Sequence, residues 1–123
     1  MITLLAVSAA SALGAPVRYL LDRAIAARRA SALPLGTMVI NITGAFLLGL
    51  LTGLAAHHGM PKPVLVVLGT GFCGAYTTFS TFSYETMRLV EDGSIAEAGA
   101  NVAVSLVAGM GAAALGLGLA LVV

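Results

Sequence analysis

Eleven charged side chains are so placed in this 123-residue chain that residues 1–17, 30–56, 63–84 and 98–123 carry none. A helix needs about 20 mostly apolar residues to cross roughly 30 Å of hydrocarbon, and each stretch, with its flanks, has that length. Composition agrees: 59% of residues are hydrophobic before fifteen glycines are counted, against about 45–50% with glycine included in a soluble domain. The segments between them, Arg23 to Ala30, His57 to Pro63 and Arg88 to Glu97, are polar or marked by Pro and Gly and short enough to join antiparallel neighbours. The first stretch lacks a basic n-region and runs through Gly14, Ala15 and Pro16 into Arg18 and Tyr19, so it reads as a retained helix rather than a secretory signal. The pattern predicts an all-α integral membrane protein: one four-helix domain over residues 1–123, with spans at 2–23, 34–56, 63–88 and 97–122.

Several functions are excluded by what is missing. A net charge of +1 provides no basic stripe for a phosphate backbone, so nucleic acid is not an expected partner. The single cysteine, Cys73, allows neither an intrachain disulfide nor a Cys-based zinc site. His57 and His58 fall in the second loop, which leaves no Ser-His or Cys-His pairing at depth and no basis for intramembrane hydrolysis. Arg18, Asp22, Glu85 and Arg88 lie near predicted span ends, so no midspan carboxylate supports proton coupling. If all four spans cross, Arg18, Arg23, Arg28, Arg29 and Arg88 share one side against Lys62 on the other, which places both termini outside.

Helices in lipid associate through close packing of small residues. Gly49 and Gly53 in GLLTG, and Ala112 with Gly116, have the spacing for it, and Gly109, Gly111, Gly116 and Gly118 read as packing positions. Three polar or aromatic clusters at membrane depth are functional candidates, because polar groups there must meet protein or a wet cavity. Asn41, with Thr37 and Thr43 nearby, places a carboxamide in the second span. Gly69, Gly71 and Gly74 lead into Thr77 and Thr78, a place for unwound backbone whose freed carbonyls suit a hard cation such as Na⁺, or else for a kink patched by threonine hydroxyls. Phe79 and Phe82 share a helical face, and the positive edges of their rings could line a path for a small anion or simply pack.

The segments GAPVRY (14–19), GTMVINITGAFLLG (36–49) and GFCGAYTTFSTFSYE (71–85) resemble, in order, the signature segments of the CrcB/Fluc fluoride channel family. The resemblance covers essentially the whole chain, and its third segment is the most specific. It implies a third helix broken near its middle and a dual-topology homodimer of two antiparallel copies in the cell membrane. F⁻ would leave the cytoplasm passively through two narrow passages, lowering fluoride toxicity. It further implies that Asn41, Phe79 and Phe82 line each passage, with Ser80, Thr81 and Ser105 as a polar track and Arg18 at a vestibule. Main-chain carbonyls of Gly74 and Thr77 from both copies would hold a central, structural Na⁺. The basic residues depart from the weak charge bias that dual insertion implies, which leaves an oppositely biased partner chain as an alternative. Two other readings compete: a small four-helix exporter, which lacks its carboxylate in the first span, and a non-transporting assembly subunit, which leaves the hydroxyl-rich 77–83 run unexplained.

Overall fold

The computed structural model describes residues 1–29 and 31–123; Ala30, at the edge of the second uncharged stretch, lies outside the described residues. The chain forms α1 (Ile2–Ala26), α2 (Leu35–His57), α3 (Lys62–Leu65), a π-helix (Val66–Cys73), α4 (Gly74–Tyr76), α5 (Phe79–Glu91) and α6 (Ile95–Ala120). No strand occurs among the described residues. The segments α3, π-helix, α4 and α5 follow one another as the third of four helical rods, each long and apolar enough to cross a membrane.

The turns follow from local chemistry. Gly93 takes φ 79°, open to glycine without a Cβ penalty. This lets Ser94 N–H reach the Leu89 carbonyl at 2.8 Å and Gly93 N–H the Val90 carbonyl at 3.0 Å, closing the end of α5. At the opposite end of the bundle the ring of His58 lies 2.6 Å from the carbonyl oxygen of Ala120, tying the end of α2 to the last turn of α6. Arg18 and Arg88 lie inside helices rather than in loops. Arg23 turns back to Tyr19, donating to its hydroxyl at 2.9 Å.

Close packing, not apolar bulk, holds the rods together. The helices α2 and α6 form the most extensive contact. A Cβ on Gly49 would strike the Ala113 carbonyl, and one on Gly116 would strike the Phe46 carbonyl, so backbone lies on backbone. The prediction for the fourth helix holds at Gly116 only: Gly109, Gly111 and Gly118 meet nothing within 4 Å and face outward. On the other side α1 lies against the π-helix and α4. A Cβ on Gly14 would stand 2.5 Å from the Phe72 carbonyl oxygen, and Gly71 sits 3.0 Å from Ala10 by the same measure. Ser11 donates to the Gly71 carbonyl at 3.1 Å, a further tie between α1 and the π-helix.

Candidate functional site at the helix break

The third rod stops at Tyr76 and restarts at Phe79. The unwound residues are threonines: Thr77 has φ −80° and ψ 161°, and Thr78 φ −150° and ψ 118°. Extended backbone suits β-branched side chains. The glycine run that precedes them remains helical, so the sequence places the break correctly but not its cause. Gly71 allows close approach to α1, and the threonines do the breaking.

A break at membrane depth strands backbone polar groups unless protein replaces the lost partners. The Thr78 N–H, which an unbroken helix would direct to the Gly74 carbonyl, donates instead to Oδ1 of Asn41 at 2.8 Å. The Asn41 Nδ2 group donates back to the Thr78 carbonyl at 2.9 Å. One carboxamide thus serves both backbone groups of one residue, as a neighbouring strand would. Thr78 also caps α5: its Oγ1 accepts from Thr81 N–H at 3.2 Å and donates to Thr81 Oγ1 at 2.9 Å. Thr77 Oγ1 donates to the Cys73 carbonyl at 2.9 Å, and Arg18 Nη1 approaches the Thr77 carbonyl at 3.4 Å. Tyr76 is buried, and its hydroxyl lies 2.8 Å from that of Thr43, which fastens α4 to α2.

Two concavities flank the break, and Thr78 lines both. One is a groove of about 350 Å³ that Asn41, Gly44, Gly74, Thr77 and Phe79 help to line. The other is a cleft of about 200 Å³ that includes Arg18, Asp22, Thr37 and Thr81. Phe79 and Phe82 stand with ring centroids 5.9 Å apart and planes tilted by 40°. Phe79 is 80% exposed within the single chain, and Ser80 and Thr81 are exposed beside it. The structure therefore gathers Asn41, Gly74, Thr77 and Phe79 around one groove and sets Arg18 and Thr81 on its far side. Ser105 lies on α6 with its hydroxyl buried and without a hydrogen-bond partner.

The Gly74 carbonyl has the character a hard cation needs. Gly74 is exposed, a Cβ there would meet nothing closer than 3.9 Å, and the N–H that would have occupied its carbonyl is engaged by Asn41. The Thr77 carbonyl has only the long contact from Arg18. Carbonyl oxygens of this kind are ligands for hard cations.

One polar residue is absent from the sequence-based expectations, and a second sits deeper than expected. Asn101, fully buried, donates from Nδ2 to Thr86 Oγ1 at 2.8 Å across the α5–α6 contact. The signal was present: it is a carboxamide in an uncharged stretch, four residues before Ser105, and the criterion that selected Asn41 selects it too. Glu85, assigned to a span end, sits six residues before the end of α5 with Oε2 buried and unpartnered.

A family model described as CrcB-like protein, Camphor Resistance (CrcB), matches residues 5–117. The protein named fluoride-specific ion channel FluC 1 of Frankia casuarinae is 50% identical over 121 residues, 94% of each chain. FluC 1 of Nocardia farcinica is 56% identical over 100 residues, 81% of this chain and 68% of its own. FluC 2 of Mycobacterium tuberculosis is 52% identical over 104 residues, 85% and 79% of the two chains. These relatives bear the name of a channel, not of an enzyme. With four membrane-length helices among its described residues and a family match across nearly its whole length, the chain is a multi-pass membrane protein that belongs to the CrcB family.

Proposed function

We propose that this protein is a fluoride-selective channel that lets F⁻ leave the cytoplasm down its electrochemical gradient across the plasma membrane and so lowers fluoride toxicity. The observation that carries the reading is the break itself. A patched gap in the third rod, with neutral donors and an aromatic pair beside it, has no evident purpose in a protein that only packs. The names borne by the relatives support the same ion.

The chemistry suits fluoride, which is small and strongly hydrated. A pore must replace its water with dense neutral donors and avoid a fixed cation that would hold it too tightly. Asn41 keeps one amide hydrogen beyond the one given to Thr78, and Thr81 keeps its hydroxyl hydrogen while accepting from Thr78. Ser80 supplies a further hydroxyl, the Phe79 and Phe82 ring edges carry positive partial charge, and Ser105 continues the polar track. Arg18, in the cleft that would form the vestibule, would attract anions by its charge, with its guanidinium 3.4 Å from the Thr77 carbonyl.

The working unit in this proposal is an antiparallel homodimer in lipid. Exposed Ser80 and Thr81, and the Asn41 and threonine groups within the groove at the break, are poor surfaces for lipid tails. A second copy would cover them and give each passage its other wall. With Arg18 and Arg88 inside helices, the remaining basic loop residues are Arg28 and Arg29, with Arg23 and Lys62 at helix ends, a weaker bias than a simple count suggests. Carbonyls of Gly74 and Thr77 from the two copies would hold one structural Na⁺, which neutralises the carbonyl ends where two breaks meet. Fluoride-electrode efflux from liposomes tests the reading: rapid F⁻ release unmatched by chloride is expected, and folded protein that releases neither ion beyond an ionophore-controlled background would refute it.

A further inference from the structure

We infer that Asn101 is a positioning residue for the aromatic pair: through Thr86 it fixes the Phe82 turn of α5 against α6 and thereby sets the wall of the passage. The inference rests on the channel reading above. No residue of α5 is fully buried, and Phe82 and Leu89 are only half-buried, so apolar packing within the chain gives this helix a weak register. Its start is held by Asn41 through Thr78. Further along, the Thr86 hydroxyl donates to the Phe82 carbonyl at 2.7 Å, and the same oxygen accepts from Asn101 Nδ2 at 2.8 Å. The helix that carries Phe79, Ser80, Thr81 and Phe82 is thus suspended between two carboxamides, one on α2 and one on α6.

Stability alone gives no reason for Asn101. It is 0% exposed, and while its Nδ2 is engaged its Oδ1 is buried without a partner. An apolar side chain of similar size would leave no orphan acceptor. What the amide adds is direction: a hydrogen bond to one hydroxyl fixes the rotation of α5 about its axis, which a sliding apolar contact does not. Rotation matters here because Phe82 lies one turn before Thr86 on the same helical face. The Phe82 ring shares a 5.9 Å pair with Phe79, so a turn of α5 moves both.

The test uses full-length protein in liposomes. Thr86→Val keeps the shape and removes the relay hydroxyl, Thr86→Ser restores the hydroxyl, and Asn101→Leu removes the donor. Thr86→Val and Asn101→Leu should each slow F⁻ efflux by about tenfold, one buried hydrogen bond's worth. The double variant should be no slower than either single one, and Thr86→Ser should recover the wild-type rate. Fluorine NMR of para-fluorophenylalanine at position 82 reads positioning without flux: one sharp resonance in wild type, and a broadened or split one in Thr86→Val. Efflux of Thr86→Val within about twofold of wild type together with an unchanged resonance, or single effects that multiply in the double variant, would overturn the inference. If wild type passes no F⁻ yet the resonance splits in Thr86→Val, the channel reading fails while the positioning role stands. Should Asn101→Leu not fold, the two Thr86 variants decide the matter alone.

Discussion

Replacing Asn41 with leucine removes both hydrogen bonds that close the helix break while nearly preserving side-chain volume. Thr78 is only 8% exposed, so its N–H and carbonyl would be left in a place water reaches poorly. An unsatisfied buried group costs about 1–3 kcal/mol, and two of them give an upper range of about 2–6 kcal/mol. Side-chain hydrogen bonds between membrane helices average nearer 0.6 kcal/mol because the altered state finds other partners. Here one such partner exists: the Thr78 N–H can return to the Gly74 carbonyl if the break heals into continuous helix. The cost therefore settles near the lower end, about 2 kcal/mol, and its consequence is a lost break rather than an unfolded protein. Such a shift lowers the equilibrium constant between broken and continuous helix by about thirtyfold, and F⁻ flux falls by up to that factor. Efflux from liposomes, alongside size-exclusion profiles and helicity, reads both parts. A folded Asn41→Leu protein with wild-type flux would refute the assignment of Asn41 as the closure of the break.

Other perturbations separate the remaining parts of the account. Phe82→Ile should leave the fold intact and cut F⁻ efflux by about tenfold or more, since it removes one member of the 5.9 Å ring pair; undiminished flux would remove the aromatic lining. Gly116→Ala sets a methyl against the Phe46 carbonyl and should cost about 1–3 kcal/mol in a detergent unfolding titration, whereas Gly118→Ala, with nothing within 4 Å, should change little. Equal effects would contradict the packing seen between α2 and α6. Thr78→Val removes the cap from α5 and should destabilise by about 1 kcal/mol, with Thr78→Ser close to wild type in the same titration. Exhaustive replacement of Na⁺ by a large organic cation should lower both dimer stability and flux, reversibly on return of Na⁺. No change in either would eliminate the structural cation.

Charge placement made the membrane architecture legible, because a charged side chain inside hydrocarbon is costly and soluble helices, which keep one face in water, seldom go a full membrane thickness without one. The position of the break was legible too, from hydroxyl residues crowded after a glycine run. Its mechanism was not. Whether a glycine run unwinds or winds more widely depends on what lies against it, and that is α1, about 60 residues earlier, with Gly14 against Phe72 and Ser11 on the Gly71 carbonyl. In the same way the sequence marks Asn41 as polar at depth but cannot show that its amide is committed on both sides to Thr78, 37 positions away. The fourth helix has small residues around much of its circumference, so periodicity could not tell that Gly116 packs while Gly109, Gly111 and Gly118 do not. Asn101 was readable by the rule applied to Asn41, but it has no hydroxyl run beside it to mark it out.

A passive, selective fluoride path is read in the reversal potential across a planar bilayer with unequal F⁻ and equal Cl⁻. Current should reverse at the fluoride equilibrium potential, moving about 59 mV for each tenfold change in the F⁻ gradient and indifferent to chloride or pH. A reversal that follows chloride or the proton gradient would contradict it.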